Sequence, residues 1–159
     1  MRTVDVIKLE HIAIEEKVHS RKSQPETLSF ILSSADESLV TQRIFETLLN
    51  REPLGTIGLG DGIAIPHVRV HTKLAAIGAF LRTENPVDFS ATDNRLVDLF
   101  FALCVPNEAH ETHLALLGEL VPRFREREFL NRLRSALEAE EIMTCFSEIT
   151  DVRDREVRK

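Results

Sequence analysis

An α/β layered domain is what this chain predicts, and three observations carry that expectation. Helical spacing occupies the first part of the chain, in Leu28, Ile31 and Leu32 and again in Val40, Ile44, Phe45, Leu48 and Leu49. It returns at the C-terminal end, in Leu114, Leu117, Leu120 and Val121, then Phe129, Leu133 and Leu137, then Ile142, Phe146 and Ile149. Between these lie β-prone runs, and one of them, Val97–Val105 (VDLFFALCV), is almost wholly apolar and reads as a central strand buried on both faces. Helices before and after such strands must bury their apolar stripes against them, which builds layers.

The elements follow in order. Residues 1–20 alternate weakly around Val6-Ile7-Lys8-Leu9 and Ile12-Ala13-Ile14, which predicts short extended or turn segments. Ser23-Gln24-Pro25-Glu26 combines capping-box spacing with an early proline and starts a helix that ends near Ala35-Asp36. A second helix runs from about Ser38 to Asn50, and Pro53 forbids its continuation. Three strands are expected at Gly62–Ile65, Ala75–Leu81 and Val97–Val105, with turn chemistry in NPVDFSATDN and a short strand at Val87–Phe89. Pro122 should kink or end the helix it falls in, or mark a break between two helices. The chain divides into one domain over 1–150 and a charged tail over 151–159, expected to fray because it has almost nothing to bury.

Composition excludes several function classes. With 159 residues, 43% hydrophobic and 29% charged, the chain reads as an ordinary globular protein. A net charge of −6 and the lack of a basic stripe argue against nucleic acid. No apolar run reaches the ~18 residues of a membrane span and no signal-peptide pattern opens the chain, so membrane insertion is not expected. Two cysteines, Cys104 and Cys145, make no disulfide framework and fit a reducing cytoplasm.

The stretch with chemical content is Gly55–His67, GTIGLGDGIAIPH, which holds four of the six glycines. Glycines this dense cannot form a helix interior and suit a tight loop whose N–H groups could face an anion. Ile63-Ala64-Ile65 then delivers Pro66-His67 at a stiff strand end, which would hold a reactive imidazole at the surface. A nucleotide loop does not fit, since no Gly-Lys-Ser/Thr follows and the glycines precede a strand. Nor does a zinc protease, because HETH (His110 to His113) is one residue short of HExxH, and His67 and His71 share a face only in a helix that Pro66, Val68 and Val70 disfavour. Neither a metal nor a cofactor is expected.

Singly, each polar residue has an ordinary structural explanation; His11, His19, His71 and His110 are expected to titrate in solvent or make structural hydrogen bonds. Together, Arg51, His67 and His113 suit phosphoryl chemistry. Imidazole, with a reference pKa of ~6.5, is a nucleophile near neutral pH. Phosphoryl transfer needs mainly positioning and donors around the equatorial oxygens, which Arg51, loop N–H groups and a second imidazole could supply. The residues of a serine, cysteine or acid–base hydrolase are not apparent.

At this point the sequence resembles a known family. GLGDGIAIPH ending in His67 is similar to the active-site signature of type-2 (fructose/mannitol) enzyme IIA domains of the bacterial phosphoenolpyruvate-dependent phosphotransferase system. LLNREPLGTIGLG before it, and NPVDFSATDNRLVDLFFALCVP and HETHLALLGEL after it, agree, so the resemblance spans roughly residues 5–150. With no IIB or IIC sequence attached, it is nearest the stand-alone, nitrogen-related branch. The resemblance implies a mixed sheet of about five strands flanked by helices on both faces. It implies His67 as phosphoryl acceptor through Nε2, Arg51 as the accompanying arginine and His113 as the second active-site histidine. It also implies an HPr-like phosphocarrier as donor and no small-molecule turnover by the chain itself. Regulated targets would be potassium-transport or sensor-kinase components, or proteins of nitrogen and carbon metabolism. The alternative is a sugar-transport IIA passing phosphate to a separate IIB subunit; a binding module that has lost transfer conflicts with the intact Arg51, His67 and His113. Three positions depart from the family pattern: Ile57 for a frequent Thr, Pro122 where many relatives continue a helix, and Val68 where Gly or Ala is common. Val68 is expected to add bulk beside the nucleophile and alter partner docking.

Overall fold

The apolar run Val97–Pro106 is the central strand, β5, of a five-stranded sheet ordered β1-β4-β5-β3-β2 in the computed structural model. The structure describes residues 3–15, 23–35, 39, 41–44, 56–58, 61–70, 76–87, 96–106 and 110–149. The other strands are β1 (Ile12–Glu15), β2 (Thr56–Gly58), β3 (Ile63–Val70) and β4 (Ile77–Val87). β5 runs parallel to β3 and antiparallel to β4; β1 is parallel to β4 and β2 antiparallel to β3, so the sheet is mixed.

Strand alternation divides the core in two. Leu99, Phe101, Leu103 and Val105 of β5 enter one cluster, and Phe100, Ala102 and Cys104 enter the other. The first is covered by α3 (His110–Phe124), α4 (Arg127–Ser135) and α5 (Ala139–Ser147), through Leu116, Leu120, Phe129, Leu133, Ile142 and Phe146. The second is covered by Leu28, Ile31 and Leu32 of α2 (Ser23–Ser34), with Leu39 and Ile44. Helices therefore flank both faces. The sheet separates Cys104 from Cys145, and both side chains are buried. Burial pushes the Cys145 thiol pKa up.

Several expected elements are corrected. At the N-terminus the expected short turn and extended segments are present as a 3-10 turn (Leu9–His11) and β1, but a one-turn helix, α1 (Thr3–Val6), precedes them, and Val6 and Ile7 reach the core. β4 runs on through Asn85-Pro86 to Val87, where a turn and a separate strand were expected. A register shift between Arg82 and Val87 absorbs the proline. Pro122 lies in the last turn of α3, which ends two residues later, and α4 follows after a short break. Of the expected stripe, Leu120 is fully buried beside Leu116 and Phe124, and Leu117 and Val121 pack at the core margin, but Leu114 is 67% exposed. Leu137 is likewise exposed, in the break between α4 and α5. The second helix is described only over residues 41–44, and the tail 151–159 lies outside the described residues.

Of the histidines expected to be structural or in solvent, His11 is structural. It is 6% exposed, and its Nδ1 accepts the Lys8 N–H at 3.2 Å. Burial lowers its pKa from 6.5, against the opposing pull of Glu10. The unfolded chain therefore takes up this proton at higher pH than the folded one. His11 contributes full stability above pH 6.5, and that contribution declines as the pH falls from 6.5 through the depressed folded value. We expect the urea midpoint to drop between pH 7.5 and pH 5.5, and His11→Gln to lose part of that drop. An identical pH dependence in both proteins would show that His11 does not report on folding.

Candidate functional site

His67 lies at the end of the sheet where the parallel strands β3 and β5 finish. It pairs with Leu103, three residues before β5 ends at Pro106, and α3 starts at His110. Ligand sites in α/β sheets sit beyond such carboxyl ends, and a helix N-terminus there favours an anion. Ile63 and Ile65 belong to the cluster under the C-terminal helices, so alternation directs His67 to that same face. Residue 113 stands in the first turn of α3, the helix whose Leu116 and Leu120 join the cluster on this face. The backbone thus brings His67 and the turn carrying His113 to one end and one side of the sheet. The His113 side chain and the whole of Arg51 lie outside what is described.

Three expectations change. His67 is not at a strand end, since β3 continues to Val70. Pro66 is accommodated because it pairs with Thr56, the first residue of β2; past it, that flank of β3 has no partner strand among the described residues. The imidazole is half-buried instead of surface-held, and its Nε2 is shielded from solvent. Val68 does not add bulk beside it: Val68 is 1% exposed and packs on the opposite face with Leu28 and Leu32.

The glycine stretch also has a different role at its described positions. Thr56–Gly58 forms β2, and the chain turns through Asp61 and Gly62 (φ 53° and 85°) into β3. Gly58 pairs with Ala64, and Gly62 lies five residues before His67, roughly 16 Å along the strand at ~3.3 Å per residue. At the described positions, Gly58 thus belongs to the antiparallel β2–β3 pair and Gly62 to the turn at the far end of β3 from His67. That turn is gripped by Arg134 of α4, which donates from Nε and Nη2 to both Asp98 carboxylate oxygens at 2.9 and 2.8 Å and to the Asp61 carbonyl. Neither Arg134 nor Asp98 stands out locally in the sequence, being 36 residues apart.

The family model for the phosphoenolpyruvate-dependent sugar phosphotransferase system, EIIA 2, matches residues 5–149. The chain belongs to the EIIA type-2 family of the phosphotransferase system. This EIIA chain is 41% identical over 141 residues to the nitrogen regulatory protein of Escherichia coli (strain K12), covering 87% of this chain and 86% of that protein. It is similar to the crystal structure of the nitrogen regulatory protein IIA-Ntr from Neisseria meningitidis, with a TM-score of 0.80 and 37% identity over 90% of this chain and 97% of that one. The mannitol IIA of Escherichia coli shares the fold at 20% identity (TM-score 0.69; 88% and 98% covered). Among the described residues, no helix of the EIIA chain is long and apolar enough to cross a membrane.

Proposed function

We propose that the chain is a phosphohistidine carrier that works mainly as a regulator in the cytoplasm, and that His67 is its acceptor. The single observation behind this is the place of His67 in the C-terminal half of β3, three residues before both β3 and β5 end, toward the side where α3 begins. With its proton on Nδ1, His67 attacks phosphorus through the Nε2 lone pair. The P–N bond to the donor's phosphohistidine breaks as the new P–N bond forms, and the departing imidazole takes a proton from solvent. Metaphosphate-like charge builds on the equatorial oxygens. Arg51 supplies a fixed cation there, and His113 a donor from the helix turn. The register supports this role for Arg51, because Thr56, five residues after it, lies opposite Pro66. The donor is an HPr-like carrier. The regulatory reading draws on the relatives called nitrogen regulatory proteins. The added charge of about −1.5 to −2 would repel one partner and recruit another.

Incubation with phosphoenolpyruvate, enzyme I and an HPr-like carrier should place one acid-labile phosphoryl group on the chain; no uptake overturns the proposal. Arg51→Ala is expected to slow transfer about a hundredfold, the scale of losing one charge-stabilising donor, with melting almost unchanged. His113→Ala should retain slower transfer. A large loss of Tm in Arg51→Ala would make that residue structural, and an unchanged rate in His113→Ala would remove it from the site.

A further inference from the structure

Among the described residues, the β2–β3 hairpin is held by three strand pairs and by its turn. β2 has three residues, makes three pairs with β3 and lies at the sheet edge. So short a strand is marginal alone, and a one-residue slip would turn each side chain to the other face. At the turn, the Gly62 carbonyl accepts the Asp98 and Leu99 N–H groups at 2.9 and 3.0 Å. The Arg134 fork then closes over it from α4. A Cβ at position 62 would fall 2.6 Å from Asp98 Oδ1 and 2.7 Å from Arg134 Nη2, so the pair occupies the space that glycine leaves. The fork also has a fixed base: Arg82 Nη1 donates from β4 to the carbonyls of Leu133, Arg134 and Ala136 at 2.7, 3.1 and 2.7 Å. With side chains 32% and 16% exposed, Arg134 and Asp98 form a partly desolvated, charge-assisted fork, firmer than an exposed ion pair.

We propose that Arg134, through Asp98 and the Asp61-Gly62 turn, is a positioning residue for phosphoryl transfer. It fixes the register of β2 on β3, and with it the pairing of Thr56, five residues after Arg51 in the sequence, opposite Pro66 beside His67. The proposal rests on the phosphohistidine reading. β3 itself is held by β5 from Ile63 to Val70, so loss of the fork loosens β2 and leaves the strand bearing His67 in place.

The test measures single-turnover transfer at saturating donor, well below the melting temperature, for Arg134→Ala, Arg134→Lys, Arg51→Ala and the Arg134→Ala/Arg51→Ala double variant. Arg134→Ala should slow transfer about tenfold, within the range for a small misplacement. Arg134→Lys should recover only part of it, because an ammonium makes no fork. In the Arg134→Ala background, Arg51→Ala should slow transfer little further. Wild-type transfer in Arg134→Ala, or effects of Arg134 and Arg51 that multiply in full, overturns the proposal. If Arg134→Ala does not fold, Asp98→Asn, of equal volume, answers the same questions. Amide exchange at Thr56–Gly58 separates this inference from the reading beneath it. Should the wild type take up no phosphate, the carrier reading fails, while faster exchange in the fork variant still supports the clamp on β2 and unchanged exchange removes it.

Discussion

His67→Ala takes up no phosphoryl group under conditions where the wild type is fully labelled. The expected effect is abolition, because the substitution deletes the atom that forms the P–N bond. Loss of a neighbouring donor only raises a barrier. The variant should still fold: His67 is half-buried in a strand whose core contacts come from Ile63, Ala64, Ile65 and Val68. A stability change of about 1 kcal/mol is therefore expected. Acid-stability and mass analysis of labelled wild type and variant would check it. Undiminished label in His67→Ala would move the acceptor elsewhere and end the assignment.

Phe146→Ala is expected to cost about 3–5 kcal/mol, a large share of a typical domain's stability. Phe146 is fully buried and sits among four other rings. Its centroid lies 5.4 Å from Phe80 on β4, 5.2 Å from Phe101 on β5, 6.4 Å from Phe124 on α3 and 6.2 Å from Phe129 on α4. All four meet it at steep interplanar angles (65–89°), the edge-to-face geometry that aromatic pairs favour. One side chain thus joins two strands to three helices, and rigid elements cannot collapse fully into the void. At ~2–4 °C per kcal/mol for a chain of this size, the Tm should fall by roughly 6–20 °C. Phe30→Ala is the control: Phe30 is 67% exposed, and its loss should change stability by no more than about 0.5 kcal/mol. Equal effects at the two positions would contradict the packing described here.

Much of the fold was legible because it depends on local chemistry. VDLFFALCV could only be a strand buried on both faces, and it is β5. The proline and the capping-box spacing around Ser23 located the start of α2. The stripe of α3 was harder to read: of Leu114, Leu117, Leu120 and Val121, docking on the sheet buries Leu120 with Leu116 and Phe124, keeps Leu117 and Val121 at the core margin and turns Leu114 to solvent. β4 was misjudged because Asn85-Pro86 has turn chemistry, whereas the strand passes through them within a register shift and pairs again with β5 at Val87. For the site, the motif pointed to His67, but its glycines suggested an anion cradle where Gly58 pairs within the sheet and Gly62 turns the chain into β3.

By itself, the sequence determined the family, the apolar elements and the candidate histidine, since motif and periodicity are properties of neighbouring residues. Only the tertiary structure decided that Val68 turns away from His67, that the glycine turn lies at the far end of β3, and that Arg134 and Asp98 grip it. Strand register and the meeting of residues 36 apart arise from packing, which no local pattern encodes.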